Sequence, residues 1–226
     1  MKKIIPFIFI LGIIEMSCGE TKKEGSRKTM TNNTVETNKT KVTEKVTEKQ
    51  GKDVAIISTF YGDMVVEFFE TSAPKHVESF KEHVKNGYYN GTIFHRVIPG
   101  FMIQGGDPNT KGENKAIYGT GGHAAKFFGI GEKTEKNTWN LPAEFSKISH
   151  KRGILSMARS TDPNSGGSQF FICAADAPHL DGQYTVFGQV IEGDNVIDQI
   201  VNLPRDGRDN PNRRIEMKVK LDKRTE

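Results

Sequence analysis

The stretch F-H-R-V-I-P-G-F-M-I-Q-G-G-D, Phe94 to Asp107, sets one guanidinium (Arg96), one side-chain amide (Gln104) and two large apolar groups (Phe101, Met102) within nine residues. It reads as two short strands joined at Pro99-Gly100, with side chains alternating across each strand. Phe94, Arg96 and Ile98 are then expected on one face, with His95 and Val97 on the other. Beyond the turn, Met102 and Gln104 share a face while Phe101 and Ile103 take the opposite one. A charge amid this much apolar surface needs partners, because an unpaired buried ion is costly. Arg96 either satisfies backbone carbonyls in a sheet wall or faces a ligand, and the stretch alone leaves both open.

Outward from it, apolar runs at 54–61 and 64–69 flank Gly62-Asp63 and read as a hairpin with a tight turn. Ser72 is placed to cap a helix carrying Pro74 in its first turn. Val77, Phe80 and Val84 fall on one face of that helix, and Gly87 is placed to end it. His76 and His83 are expected on its surface or flank, and no metal-ligand spacing occurs in the chain. Further strands are expected at 92–97, 101–105, 154–158, 169–174 and 185–190, with a second amphipathic helix at 195–202. Residues 215–221 alternate with period two. Many short strands and two helices predict a mainly β fold: a closed antiparallel sheet with helices over its open ends.

A length of 226 residues suits one domain plus extensions. Residues 53–226 hold 21 Lys and Arg against 22 Asp and Glu, while residues 19–52 hold 9 against 5. The basic character therefore belongs to the N-terminal extension. The folded part has no excess charge for a phosphate backbone, which argues against nucleic acid as a partner. Residues 1–18 read as an export signal: Lys2 and Lys3 precede an apolar run at 4–14 that is too short to span a bilayer. Residues 19–52 are rich in Thr, Lys, Glu and Asn, lack aromatics and include the duplication K-V-T-E-K-V-T-E-K, so they read as a disordered polar stalk. As a coil it would reach about 30–35 Å. Besides Cys18 only Cys173 remains, and one thiol in an apolar run is read as packing.

Several catalytic templates fail. Gly167-Ser168-Gln169-Phe170 lacks the closing Gly of a nucleophile elbow. Gly119 to Ala124 fits G-x-G-x-x-A but follows no apolar strand, so its glycines are read as letting a loop turn and approach a ligand closely.

The opening stretch is followed in order by G-T-G-G (Gly119 to Gly122), L-S-M-A (Leu155 to Ala158), G-S-Q-F-F-I (Gly167 to Ile172) and H-L-D-G-Q-Y-T-V-F-G (His179 to Gly188). Together, over roughly 54–221, these blocks resemble the cyclophilin-type peptidyl-prolyl cis-trans isomerases. The resemblance implies an eight-stranded antiparallel β-barrel capped by two α-helices, acting as a monomeric domain on proline-containing polypeptides without a cofactor or metal (EC 5.2.1.8). It implies that Arg96 is catalytic, aimed at the prolyl nitrogen, and that Gln104 orients it with Gln169 beside. Phe101, Met102, Phe171 and Leu180 match the proline pocket, and Gly119, Ala158 and Ser160 the neighbouring groove. His179 stands where many relatives have Trp and Tyr184 where many have His, so weak cyclosporin binding is expected. Arg159 replaces a common Asn.

Ser17-Cys18 resembles the lipobox of bacterial lipoproteins, although Glu15 stands where an aliphatic residue is usual. That implies a lipid anchor on Cys18, attachment to a membrane of the cell envelope, and exported polypeptides as clients. The alternative function is a membrane-tethered chaperone or scaffold that binds proline-containing segments, with turnover incidental. Residues 123–140, with Phe127, Phe128 and Trp139, read either as an excursion packed on itself or as an accessory client contact.

Overall fold

A computed structural model describes residues 51–225. The signal segment, Cys18 and the stalk as far as residue 50 lie outside the described residues.

The first two strands, β1 (Lys52–Thr59) and β2 (Gly62–Phe68), form an antiparallel hairpin whose turn is Phe60-Tyr61, two residues before the expected one. The Thr59 hydroxyl fixes this earlier turn by accepting from the Tyr61 amide and donating to the Gly62 carbonyl, both at 3.1 Å. Helix α1 (Pro74–Lys85) follows, with Pro74 in its first turn where a missing N–H costs nothing. Val77, Phe80 and Val84 are buried as expected. Asn86 caps the helix, and Gly87 follows at φ 65°, a conformation that suits glycine.

Two expectations about α1 fail. Ser72 does not cap it; the Glu144 carboxylate does, accepting from the Lys75 and His76 amides at 3.1 Å across almost seventy residues of chain. His76 and His83 are buried rather than on the surface. Each has a polar partner that makes burial tolerable: His76 Nδ1 lies 2.7 Å from Glu144, and His83 Nε2 donates to the His123 carbonyl at 2.8 Å.

The remaining elements are β3 (Arg96–Ile98), β4 (Met102–Gly105), β5 (Ile154–Met157), β6 (Phe170–Cys173), β7 (Val186–Glu192), α2 (Asp194–Val201) and β8 (Lys218–Arg224). All the ladders are antiparallel, and the eight strands form one sheet in the order β3-β4-β6-β5-β7-β2-β1-β8. The sheet does not close into the expected barrel, because β3 and β8 share no ladder. Among the described residues that seam holds an isolated Ile93–Glu216 bridge and single bonds such as Phe94 N–H to Ile215 O at 3.0 Å. The pairing of β8 begins three residues later than its alternating pattern, yet Ile215, Met217 and Val219 all point into the core.

The main core joins Ala55, Ile57, Met64 and Val66 of the hairpin to Phe80 of α1 and Ile197 and Ile200 of α2. A second, smaller apolar cluster, containing Met102, Phe171, Cys173 and Leu180, lies apart from it. Cys173 is buried there, and burial pushes its thiol up to about 12, which suits packing rather than redox chemistry. Residues 123–140 fold on themselves: Trp139 Nε1 donates to Glu132 O at 3.0 Å, and its ring meets Phe127 edge-on at 6.2 Å. The segment is pinned to α1 through Ala125 N–H and Ser79 Oγ at 2.9 Å.

Candidate active site

Strand register builds the site. Arg96 pairs with Gln104, Gln104 with Phe171, and Phe171 with Ser156, so one row of residues crosses β3, β4, β6 and β5. Beside it, Ile98 pairs with Met102 and Met102 with Cys173. Cross-strand neighbours lie about 4.5–5.5 Å apart. The ladder therefore sets the guanidinium, the amide and the Phe171 ring side by side without any loop having to place them.

The expected alternation holds only where residues are paired. Val97 and Ile103 lie, as expected, on the faces opposite Arg96 and Gln104, and those faces meet the main core. Phe94, expected beside Arg96, instead packs into that core against Phe170, because the strand begins only at Arg96. Phe101, expected with Ile103, lies in the turn before β4 and packs against the second cluster near Phe171, ring centres 6.5 Å apart.

A cavity of about 340 Å³ opens over this row. Phe101, Met102, Phe171 and Leu180 give its apolar surface, and Arg96 and Gln104 its polar edge; Ala158, Arg159 and Tyr184 complete the wall. The Arg96 guanidinium meets side chains: Nη1 donates to Gln104 Oε1 at 3.4 Å, and Nε lies 3.9 Å from Asp209. It is 43% exposed, so it keeps donors for a ligand. The alternative of a wall arginine satisfying backbone carbonyls does not describe these contacts.

From Gln104 a relay of amides runs on. Gln104 Nε2 donates to Gln169 Oε1 at 3.0 Å, and Gln169 Nε2 to the Gly121 carbonyl at 2.7 Å. Gly119 and Gly122 sit at φ 84° and 112°, and a Cβ on Gly122 would stand 2.4 Å from Ser168 Oγ, so the loop comes this close only as glycine. Gly119, Ala158, Ser160, Gln104 and Gln169 line an adjoining cavity of about 300 Å³. All the residues matched to the proline pocket and groove line these two cavities except His179. That ring is exposed and lies 5.5 Å from the Phe101 ring, outside the lining of either.

Arg159 was expected as the groove residue that replaces a common Asn, whereas His150 was not among the expected site residues. Arg159 lines both cavities and is held rigid: its guanidinium stacks 4.4 Å from the Tyr184 ring and donates to the carbonyls of Gln183, Ser160 and Thr161 at 2.8–3.1 Å. Behind Phe171, His150 Nδ1 lies 3.0 Å from Asp181 and Nε2 3.0 Å from Ser156 Oγ. This has the form of a nucleophilic triad, but Ser156 is fully buried and its hydroxyl also donates to Thr185 O at 3.1 Å. No substrate can reach it. The imidazole instead stacks at 13° against Phe171, at 6.2 Å, and supports the cavity floor.

The family described as "Cyclophilin type peptidyl-prolyl cis-trans isomerase/CLD" matches residues 54–220. A Brucella abortus protein named "Probable peptidyl-prolyl cis-trans isomerase" is 45% identical over 153 residues, covering 66% of this chain and 71% of its own. A "Peptidyl-prolyl cis-trans isomerase" of Acinetobacter baylyi is 40% identical over 153 residues, with the same coverage. A crystal structure of a Cryptosporidium parvum cyclophilin type peptidyl-prolyl cis-trans isomerase, in the presence of the dipeptide Ala-Pro, superposes with a TM-score of 0.64 at 34% identity. It covers 76% of this chain and 99% of that one. The chain belongs to the cyclophilin-type peptidyl-prolyl cis-trans isomerases, enzymes of class EC 5.2.1.8.

Proposed function

We propose that this isomerase accelerates X-Pro rotation in exported polypeptides, with Arg96 stabilising the twisted imide above the Phe101–Met102–Phe171–Leu180 cavity. Rotation about the peptide bond is opposed by ~18–20 kcal/mol because the nitrogen lone pair is delocalised into the carbonyl. As the bond twists, the prolyl nitrogen becomes pyramidal and regains its lone pair. A donor aimed there favours the twisted state over either planar one, which is the condition for acceleration. No bond to another atom forms or breaks, so neither a nucleophile nor a metal is called for. The apolar cavity holds the ring while the preceding residue turns. Gln104 and Gln169 keep the guanidinium at the cavity edge, and Gly119, Ala158 and Ser160 line the path of the residues before proline.

The observation that carries this reading is that a half-exposed guanidinium and four apolar side chains line one cavity. Replacing Arg96 by Ala should abolish most turnover while peptide affinity stays within about tenfold, or 1.4 kcal/mol. Parallel loss of binding, or nearly unchanged turnover, would refute the division of roles and favour a tethered proline-binding chaperone.

The export setting rests on the lipobox-like Ser17-Cys18 and the polar stalk. A monomeric domain carried on a Cys18 lipid anchor would work away from the membrane surface on proline-containing clients. Cys18→Ser should move the protein from the membrane fraction to the soluble fraction; an unchanged distribution would refute the anchor.

A further inference from the structure

We infer that a third cavity beside Arg96, walled by His95, Lys115 and Arg208, binds a carboxylate of the client polypeptide, so that the enzyme favours prolines with an acidic residue nearby. The inference rests on the isomerase reading of the site. The cavity measures about 230 Å³ and shares Arg96 and Gln104 with the proline cavity. A chain advancing ~3.3–3.6 Å per residue therefore reaches it within a residue or two of the ring.

Its wall is cationic. Arg96, Lys115 and Arg208 line it, and among the described residues none of the lining side chains is acidic. Three carboxylates lie nearby and are already engaged, Asp206 accepting from the Arg208 and Asn210 amides at 2.9 and 3.0 Å while its charge also acts on Lys115 and Arg208. Asp209 lies 3.9 Å from Arg96 Nε and 3.0 Å from Arg205 Nε, and buried Asp107 accepts from the Asn109 and Gly119 amides at 2.8 and 2.5 Å. Arg208 is anchored by an Nη2 bond to Lys115 O at 3.0 Å, which ties two of the cations together.

His95 supplies a second, independent pointer to a ligand. It is only 3% exposed, and neither ring nitrogen makes a well-formed hydrogen bond, the Ile93 carbonyl being the one backbone acceptor that acts on the ring. A Cβ on Gly119, itself part of the wall, would stand 3.7 Å from Nε2, so the ring edge faces this side. Asn210 Nδ2 fixes the backbone beneath by donating to His95 O at 2.9 Å. A neutral imidazole carries one N–H and one lone pair, and burying both unpaired is costly. A carboxylate can take that N–H while the cations balance its charge. A polyanion fits less well, since residues 53–226 carry a net charge of −1.

The test uses the full chain and a set of short X-Pro peptides with Glu or Gln at each of the three positions on either side of the pair. Turnover is followed by exchange NMR and affinity by titration, each at low and high salt. At one position at least, the Glu peptide should exceed its Gln twin about 3- to 10-fold, and the advantage should shrink in salt. In Lys115→Gln/Arg208→Gln the ratio at that position should fall towards one. The absence of any Glu advantage in the native protein, or its survival in the double variant, would overturn the inference. If no peptide is turned over, the isomerase reading fails, and the Glu-to-Gln affinity ratio and its salt dependence still decide the cavity.

Discussion

Gln104, on β4, and Gln169, one residue before β6, share one amide–amide hydrogen bond of 3.0 Å, and through it the Arg96 edge of the cavity is coupled to the glycine loop. Gln104 spends its oxygen on Arg96 and its nitrogen on Gln169, which in turn holds the Gly121 carbonyl at 2.7 Å. Each amide is thereby fixed in orientation, since reversing one would face donor to donor. Gln169→Leu should free both neighbours. We expect kcat/KM to fall about 3- to 10-fold, in line with the loss of one or two net hydrogen bonds. Steady-state assays with an Ala-Pro peptide would check this, and an unchanged value would show that Arg96 needs no such support.

The start of α1 depends on a residue from a distant loop. Burial works against the charge of Glu144, but His76 and the two α1 amides outweigh it and hold the carboxyl below its ordinary value. Glu144→Ala removes the acceptor for both amides and leaves His76 buried without its partner. A loss of about 2–3 kcal/mol is expected from the missing cap and the stranded imidazole, measured as a lower midpoint in urea. Ser72→Ala should change the midpoint far less.

Acid should destabilise the fold well above the carboxylate range. Burial lowers His83 and His95 from 6.5 to about 4, and His150 is lowered as well, again chiefly by burial. Below pH 6.5 the unfolded chain protonates these rings first and so binds more protons than the native state. Stability is therefore greatest above about pH 6.5, falls as pH drops towards 4, and gains nothing further from these groups below that. Each of the two deeply shifted rings corresponds to a loss on the order of 3 kcal/mol across that window. Urea midpoints at several pH values would show the slope, and a flat profile between pH 7 and 4.5 would contradict it.

Cyclosporin should bind weakly. His179 occupies the position where many relatives carry Trp, and its exposed ring lies outside the lining of the proline cavity, 5.5 Å from Phe101. The apolar area that an indole would present is missing. Inhibition in a peptide assay is expected only far above nanomolar concentrations, and His179→Trp should lower that concentration. Nanomolar inhibition of the native protein would contradict this.

Much of the β framework could be read from the chain because paired residues obey the two-residue repeat: Val97 and Ile103 inward, Arg96 and Gln104 towards the cavity. The errors cluster where pairing stops. Phe94 and Phe101 lie just outside β3 and β4, so alternation no longer governs which way they point. His76 and His83 looked superficial beside Lys and Glu. Their partners, Glu144 and the His123 carbonyl, are 68 and 40 residues away, and no local pattern announces them. Barrel closure failed for a related reason: alternation marks strand faces and says nothing of which edges join.

Strand β1 is bonded along both edges, to β2 on one side and β8 on the other. Any pull arriving through the N-terminal segment would enter the domain at β1 and load two ladders together, in shear, rather than peel one free border strand. A leash attached there would have to break two ladders to extract its strand.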